Sequence, residues 1–292
     1  MAKKYFSIII PCLNEEKYLP KLLGNLAKQN FTDFEVLVVD GNSQDRTIKE
    51  AKKFTKNLAL KTIATTVRNA STQRNLGAKN ATSDRLIFFD ADTQIPKSFL
   101  KNVYSCFEND KPDLLTTWTK TNSKLETDKA IAMAMNVLFE IGKFVGSPAL
   151  LGCFIAVTKS AFNSAGGFDE DMKFAEDSDL GQKILSNEGK FVILRSAYYY
   201  ISLRRYKKEG TLKTFRQQAL LGLNRFLKFE KFTKLPEYAM GGHVFEKHKR
   251  TESLAWVQAT LNSFSQKKNI AKIKNSSGLK FLTALVDDIR KV

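Results

Sequence analysis

The chain has 292 residues, 43% of them hydrophobic and 11% aromatic, enough apolar content to bury a sizeable core and to exclude a disordered chain. It carries 47 Lys and Arg against 30 Asp and Glu, a formal net charge of +17. That excess is concentrated, with 27 basic and 23 acidic side chains in residues 1–200 but 20 and 7 in residues 201–292.

The first hundred residues alternate strand-like and helix-like patterns. Phe6 to Ile10 is an apolar, β-branched run, after which Tyr18, Leu19, Leu22, Leu23 and Leu26 recur at helical spacing with Asn14 placed to cap the helix start. Phe34 to Val39 reads as a second strand, ending in the turn-rich Asp40-Gly41-Asn42-Ser43 ahead of a helix from about Asp45 to Phe54. Leu58 to Val67 reads as a third strand, Thr72 to Lys79 as a third helix, and Leu86 to Phe89 as a fourth strand stopping at Asp90. Such alternation predicts an α/β fold, a parallel sheet covered by helices on both faces. In sheets of this kind ligands lie beyond the carboxyl ends of the strands, which directs attention to Pro11 to Glu15, Asp40 to Ser43 and Asp90 to Asp92.

The middle of the chain is more mixed. Pro96 begins a helix running past Val103, an apolar segment spans Ala130 to Val145, and Gly166-Gly167 marks a tight turn. The longest weakly polar stretch, Ile131 to Val157, is interrupted by Glu140, Lys143 and Ser147-Pro148 and falls short of a membrane span. The N-terminal apolar run is broken by Pro11 and then by charges, so it reads as a strand and not as an export signal. Cys12, Cys106 and Cys153 are odd in number and widely spaced, which suggests neither a disulfide framework nor a zinc site and fits a reducing compartment.

Three clusters bear acids. Phe88-Phe89-Asp90-Ala91-Asp92 sets two carboxylates at the end of a buried strand, where they could converge on Mg²⁺ or Mn²⁺; the bland alternative is a solvated helix cap. Asp40, followed by small residues, could accept hydrogen bonds from a base or ribose, although turn formation alone would explain it. Glu176-Asp177-Ser178-Asp179 opens a helical pattern, where acids suit the helix dipole and where one could instead deprotonate a hydroxyl.

The order of the pieces is more telling than any one of them. Ser7 to Glu16, Val38 to Thr47, Gln73 to Ala78, Phe89 to Asp92, Gly166 to Glu170 and Glu176-Asp177 together resemble inverting family-two glycosyltransferases of the GT-A fold, over roughly residues 5 to 210. The resemblance implies a GT-A, Rossmann-like, mostly parallel mixed sheet, with residues 1–100 as its nucleotide-sugar half, 101–210 as its acceptor half and 211–292 as a basic helical extension. It implies that Pro11, Asn14 and Glu15 border the nucleotide pocket, that Asp40 reads the base and that Arg74 approaches the nucleotide. Gly41 stands where many members have a second Asp, which leaves uridine and guanosine both open. By the same analogy Asp92 is the direct ligand of a divalent cation, Asp90 partners the ribose or a metal-bound water, Asp177 is the general base, and Gly152 and Glu176 lie on the acceptor side. Asp179, two residues along, is the competing candidate for that base, though it is expected to cap or support. The implied reaction is a single inverting displacement from a UDP- or GDP-sugar onto a saccharide or lipid-linked acceptor, as in cell-envelope synthesis.

Arg204 and Arg205 fall where relatives carry a basic, QxxRW-like element near the diphosphate, but the pattern itself is not kept. Further on, Leu212, Phe215, Ala219, Leu223 and Phe226 recur at helical spacing among basic residues. Such a helix would either lie on an anionic membrane surface or pack on the catalytic domain, so the expected location is the cytoplasm or the inner face of the cell membrane. Two other classes compete, and a catalytically silent binding module is a third reading that the intact carboxylates disfavour. A nucleic-acid-binding protein would use the +17 charge, but no recognisable binding motif accompanies it, and no nucleic acid is expected as a partner. A sugar-phosphate nucleotidyltransferase would need a Gly-rich, Arg-containing loop where Pro11 to Glu15 stand.

Overall fold

The computed structural model describes residues 3–172 and 175–204. The extension expected from residue 211 onward, and Arg205, lie outside the described residues. Seven strands form one sheet: β1 (Phe6–Cys12), β2 (Phe34–Asp40), β3 (Leu60–Ala64), β4 (Arg85–Phe88), β5 (Leu114–Lys120), β6 (Ile155–Thr158) and β7 (Phe191–Tyr200). Their order is β3-β2-β1-β4-β6-β5-β7. The pairs β1·β2, β1·β4, β2·β3 and β5·β7 are parallel, while β6 runs antiparallel to both β4 and β5. The sheet is therefore mixed and mostly parallel. Every residue of β1 and β2 is buried, as uninterrupted runs such as Phe6 to Ile10 require of strands covered on both sides.

β1 continues beyond Ile10, where the sequence suggested a stop. Pro11 has no N–H to give, but the ladder with β4 has already ended at Ile9 and Phe88, so nothing is lost there. The helices are α1 (Leu19–Leu26), α2 (Thr47–Lys52), α3 (Ala70–Asn80), α4 (Phe99–Asp110), α5 (Glu126–Phe144), α6 (Lys159–Ser164) and α7 (Glu176–Ser186). Asn14 does not cap α1. Tyr18 takes that position, while Asn14 adopts a left-handed backbone (φ 54°) and its Oδ1 accepts from the Gln44 amide at 2.7 Å. A short polar side chain tolerates that conformation and here ties the β1 loop to the β2 loop.

Two strands escaped the sequence pattern, β5 and β6. In β5 the residues Thr116, Thr117 and Thr119 are as buried as their apolar neighbours, so the alternation that marks a half-buried strand is absent. Their polar groups are satisfied: Thr116 donates to the Phe154 carbonyl at 3.2 Å, and the Thr119 amide donates to Asn136 of α5 at 2.8 Å. β6 has only four residues and lay hidden at the end of the long apolar stretch.

Helix α3 holds the sheet's two halves together. Asn75 donates to the Phe168 carbonyl and accepts from the Phe168 amide, at 2.9 and 3.0 Å, and Thr72 donates to Glu170 at 2.6 Å. The Gly166-Gly167 turn, with φ of 78° and 72°, presents that segment to the helix. On its other side α3 sits so close to β1 that a Cβ on Gly77 would lie 2.3 Å from Ile9 Cγ2. Gly77→Ala should therefore destabilise the protein by about 1–3 kcal/mol through overpacking, outweighing the helix-propensity gain of up to ~1 kcal/mol, as a urea melt would measure.

Candidate active site

The carboxyl ends of β1, β2 and β4, the start of α7 and the residues after β7 deliver polar side chains to one rim, which the loop before β6 approaches through Gly152. At its centre is Arg74 of α3, 3% exposed. Its Nη2 donates to Asp90 at 2.9 Å, and its Nη1 donates to Glu176 at 2.9 Å and lies 3.3 Å from Asp177. The guanidinium also lies 5.2 Å from the centre of the Phe168 ring. Burial works against its charge, but Asp177, Asp90 and Glu176 outweigh burial and hold it above its ordinary range.

Asp177 is buried in the first turn of α7 and takes a hydrogen bond from the Gly152 amide. Burial, and then the neighbouring Glu176 charge, push its carboxyl up to about 8 against the pull of Arg74. No side chain caps this helix. Ala175 precedes it in the left-handed region (φ 60°), and the acids that could have served as caps are otherwise engaged, Glu176 and Asp177 with Arg74 and Asp179 with Lys183 at 2.8 Å. Gly152 is required by proximity, since a Cβ there would lie 2.2 Å from Arg74 Nη2 and 3.1 Å from Asp177 Oδ2.

A second guanidinium closes the rim. Arg204 Nε and Nη2 both donate to Asp92 Oδ2, at 3.0 and 2.6 Å, and Nη2 lies 3.3 Å from Glu15. Its plane rests 3.7 Å from the centre of the Tyr18 ring. Burial pushes Glu15 up to about 8, with Arg204 opposing and Asp92 and Asp90 adding to the rise. Asp40, at the end of β2, is buried and accepts from the Ser43 amide at 3.0 Å. Beside it the side chain of Gln73 fills the space a residue larger than Gly41 would need, its Nε2 lying 2.3 Å from the position of a Cβ there.

Of the residues singled out in sequence, Pro11, Asn14, Glu15, Asp40, Arg74, Asp90, Asp92, Gly152, Glu176, Asp177 and Arg204 all belong to this rim or the strands entering it. Tyr18, Gln73 and Phe168 were missed as parts of it. Tyr18 looked like one more member of the α1 apolar stripe, and the spacing that gives helical periodicity carries no sign of which ring meets a guanidinium. The residues that could hold a divalent cation are Asp90 and Asp92, both hard oxygen donors. Among the described residues no three His, Cys, Asp or Glu side chains converge as a metal-binding group. Two carboxylates nevertheless suffice for Mg²⁺ or Mn²⁺, which take the rest of their ligands from water and phosphate. Five of the rim's carboxyl groups meet its two guanidinium groups, an excess of acids that fits a further cation.

Residues 7–162 match Glycosyl transferase family 2. The chain belongs to that family, and its sheet is the GT-A arrangement. It is 32% identical over 214 residues to the poly(ribitol-phosphate) β-N-acetylglucosaminyltransferase TarS of Staphylococcus aureus, covering 70% of this chain and 36% of that one. It is 33% identical over 156 residues to a dolichyl N-acetyl-α-D-glucosaminyl phosphate 3-β-D-2,3-diacetamido-2,3-dideoxy-β-D-glucuronosyltransferase of Methanococcus voltae, covering 51% of this chain and 46% of that one. The chain thus spans less than half the length of either relative. Among solved structures, S. aureus TarS 1-349 in complex with UDP-GlcNAc superposes with a TM-score of 0.58 at 27% identity, covering 68% of this chain and 58% of that one. The Pyrobaculum calidifontis mannosyltransferase PcManGT, in complex with GDP-Man and Mn²⁺, gives 0.59 at 18% identity over 79% of this chain and 66% of that one, a likeness of fold.

Proposed function

We propose that this chain transfers a sugar from a nucleoside-diphosphate sugar to an acceptor hydroxyl with inversion at the anomeric carbon. The observation that carries the reading is the buried Asp177 carboxylate, held on Arg74 and Gly152 at the opposite side of the guanidinium from Asp90. Asp177 is thereby given to proton transfer, and Asp90 and Asp92 to the donor. Residues 1–100 supply the donor side, with Pro11, Asn14, Glu15 and Asp40 around the nucleoside, and residues 101–210 supply the acceptor side with Gly152, Glu176 and Asp177. Asp177 takes the proton of the attacking hydroxyl as the oxygen closes on the anomeric carbon, and Arg74 keeps that carboxylate oriented. Asp92, with Asp90, would hold Mg²⁺ or Mn²⁺, which when bound neutralises charge on the departing diphosphate. Arg204, with Arg205 beyond it, supplies further positive charge to the diphosphate.

By their names the relatives glycosylate a poly(ribitol-phosphate) and a dolichyl-phosphate-linked sugar, which supports a saccharide or lipid-linked acceptor for this chain. No helix among the described residues is long and apolar enough to cross a membrane. The basic residues after 204 would then provide peripheral contact with an anionic membrane surface. A panel of UDP- and GDP-sugars, assayed for hydrolysis and for binding by calorimetry, tests the donor class without needing the acceptor. One donor series should bind in the presence of Mn²⁺, and Asp92→Ala should weaken that binding by about tenfold or more, the scale of a lost charge-assisted contact. Binding of neither nucleotide series by the native chain would overturn the reading.

A further inference from the structure

Arg204 reaches across the rim from the end of β7, at 14% side-chain exposure, to place two of its nitrogens on a single oxygen of Asp92. The same guanidinium approaches both oxygens of Glu15 at 3.3 and 3.4 Å and is braced against Tyr18. A positive charge thus stands on the carboxylate that the donor-site reading gives to a divalent cation, and it links the loops after β1, β4 and β7 while doing so. A cation ligated by Asp92 would compete for the same lone pairs and repel the guanidinium at close range. A diphosphate, in contrast, offers a planar guanidinium a new set of anionic oxygens.

We propose that Arg204 is a latch that occupies the cation's place on Asp92 until a nucleoside diphosphate draws it away. This rests on the donor-site reading above and adds to it a coupling between two ligands. In the latched state Asp92 and Glu15 are neutralised by the protein itself, so the cation binds weakly alone. When the diphosphate arrives, Arg204 exchanges its Asp92 contact for phosphate oxygens and Asp92 becomes available. Cation and nucleotide then bind cooperatively, each raising the other's affinity by the same factor.

The test is a Mn²⁺ titration of the full chain, following the free hexaaqua ion by electron paramagnetic resonance, for the native protein and Arg204→Gln. Without nucleotide, Arg204→Gln should bind Mn²⁺ about tenfold more tightly, the scale of releasing one charge-assisted pair. With saturating UDP or GDP, the native protein's Mn²⁺ affinity should rise by a larger factor than that of the variant. In an Asp92→Asn background the Arg204 substitution should change nothing. Arg204→Lys, which keeps the charge but cannot place two nitrogens on Asp92 while reaching Glu15, should shift affinity in the same direction by less, and it serves if Arg204→Gln does not fold. Nucleotide-free Mn²⁺ affinity that is unchanged or weaker in these variants overturns the latch. If Mn²⁺ with nucleotide still binds the native chain in that case, the donor site stands and only the latch falls. If the native chain binds neither, both fall.

Discussion

Asp177→Asn should lower the transfer rate by about 100- to 10,000-fold, the range a positioned general base contributes, while leaving nucleotide binding intact. The same change should raise stability at alkaline pH. The carboxyl lies at about 8 in the folded protein against an ordinary 3.8, so what it contributes to folding is fully present below 3.8 and is lost as pH rises through about 8, where an ionised carboxylate must stay buried. Asparagine carries no such charge. Thermal melts at pH 9 should therefore place Asp177→Asn above the native protein, with the gap narrowing toward pH 6. In the native enzyme the opposite sign governs turnover: kcat/KM should climb with pH through about 8, because only the ionised form accepts a proton. Glu15 lies at a similar value, so the profile is to be repeated in Glu15→Gln, where a limb belonging to Asp177 survives. A native-like rate in Asp177→Asn would remove its assignment as the base.

Arg74→Met should cost about 3–5 kcal/mol of stability, as expected when one partner of a buried ionic cluster is removed and the others stay behind. Asp90, Glu176 and Asp177 would face one another without their shared cation. Chemical denaturation at pH 8 would read the loss. Lysine should not rescue it, since a single ammonium cannot reproduce the two-nitrogen fork that spans Asp90 on one side and Glu176 on the other. The contrast with the surface is instructive. Lys53 and Glu50 form an ion pair at 2.6 Å with the lysine 61% exposed, and its removal should change stability by no more than about 0.5 kcal/mol.

The donor half of the sheet was legible because its strands are uninterrupted apolar runs and each ends in residues that favour turns. Phe6 to Ile10 and Phe34 to Val39 became strands, the strand expected over Leu86 to Phe89 formed one residue earlier as Arg85–Phe88, and helix α3 appeared within two residues of its expected limits. The acceptor half was less legible. β5 buries threonines that hydrogen bonds satisfy, and β6 is four residues at the end of a longer apolar stretch, so neither carries a period. Within the site, acidic motifs were visible from their order along the chain. The partners were not: that Asp90 and Asp177 share one arginine depends on contacts across residues 74 to 177, which no local pattern encodes. The Asn14 assignment failed for a related reason, since a residue suited to capping is equally suited to a left-handed turn, and the neighbouring loop decided between them.

The reversed direction of β6 has a consequence for how this architecture can diversify. Parallel strands leave the sheet at the rim where Asp40 and Asp90 stand, whereas β6, paired Phe88 to Ile155, enters the sheet there. Everything between the end of β5 and Gly152, including the 19 residues of α5, is thus an excursion that begins and ends at the same rim. The connections flanking α5 can change in length without shifting the register of any strand that carries a donor-side acid, while α5 itself stays seated on β5 through Asn136 and Glu140. The polarity of a single four-residue strand thus returns the chain to the rim where the donor-side acids stand.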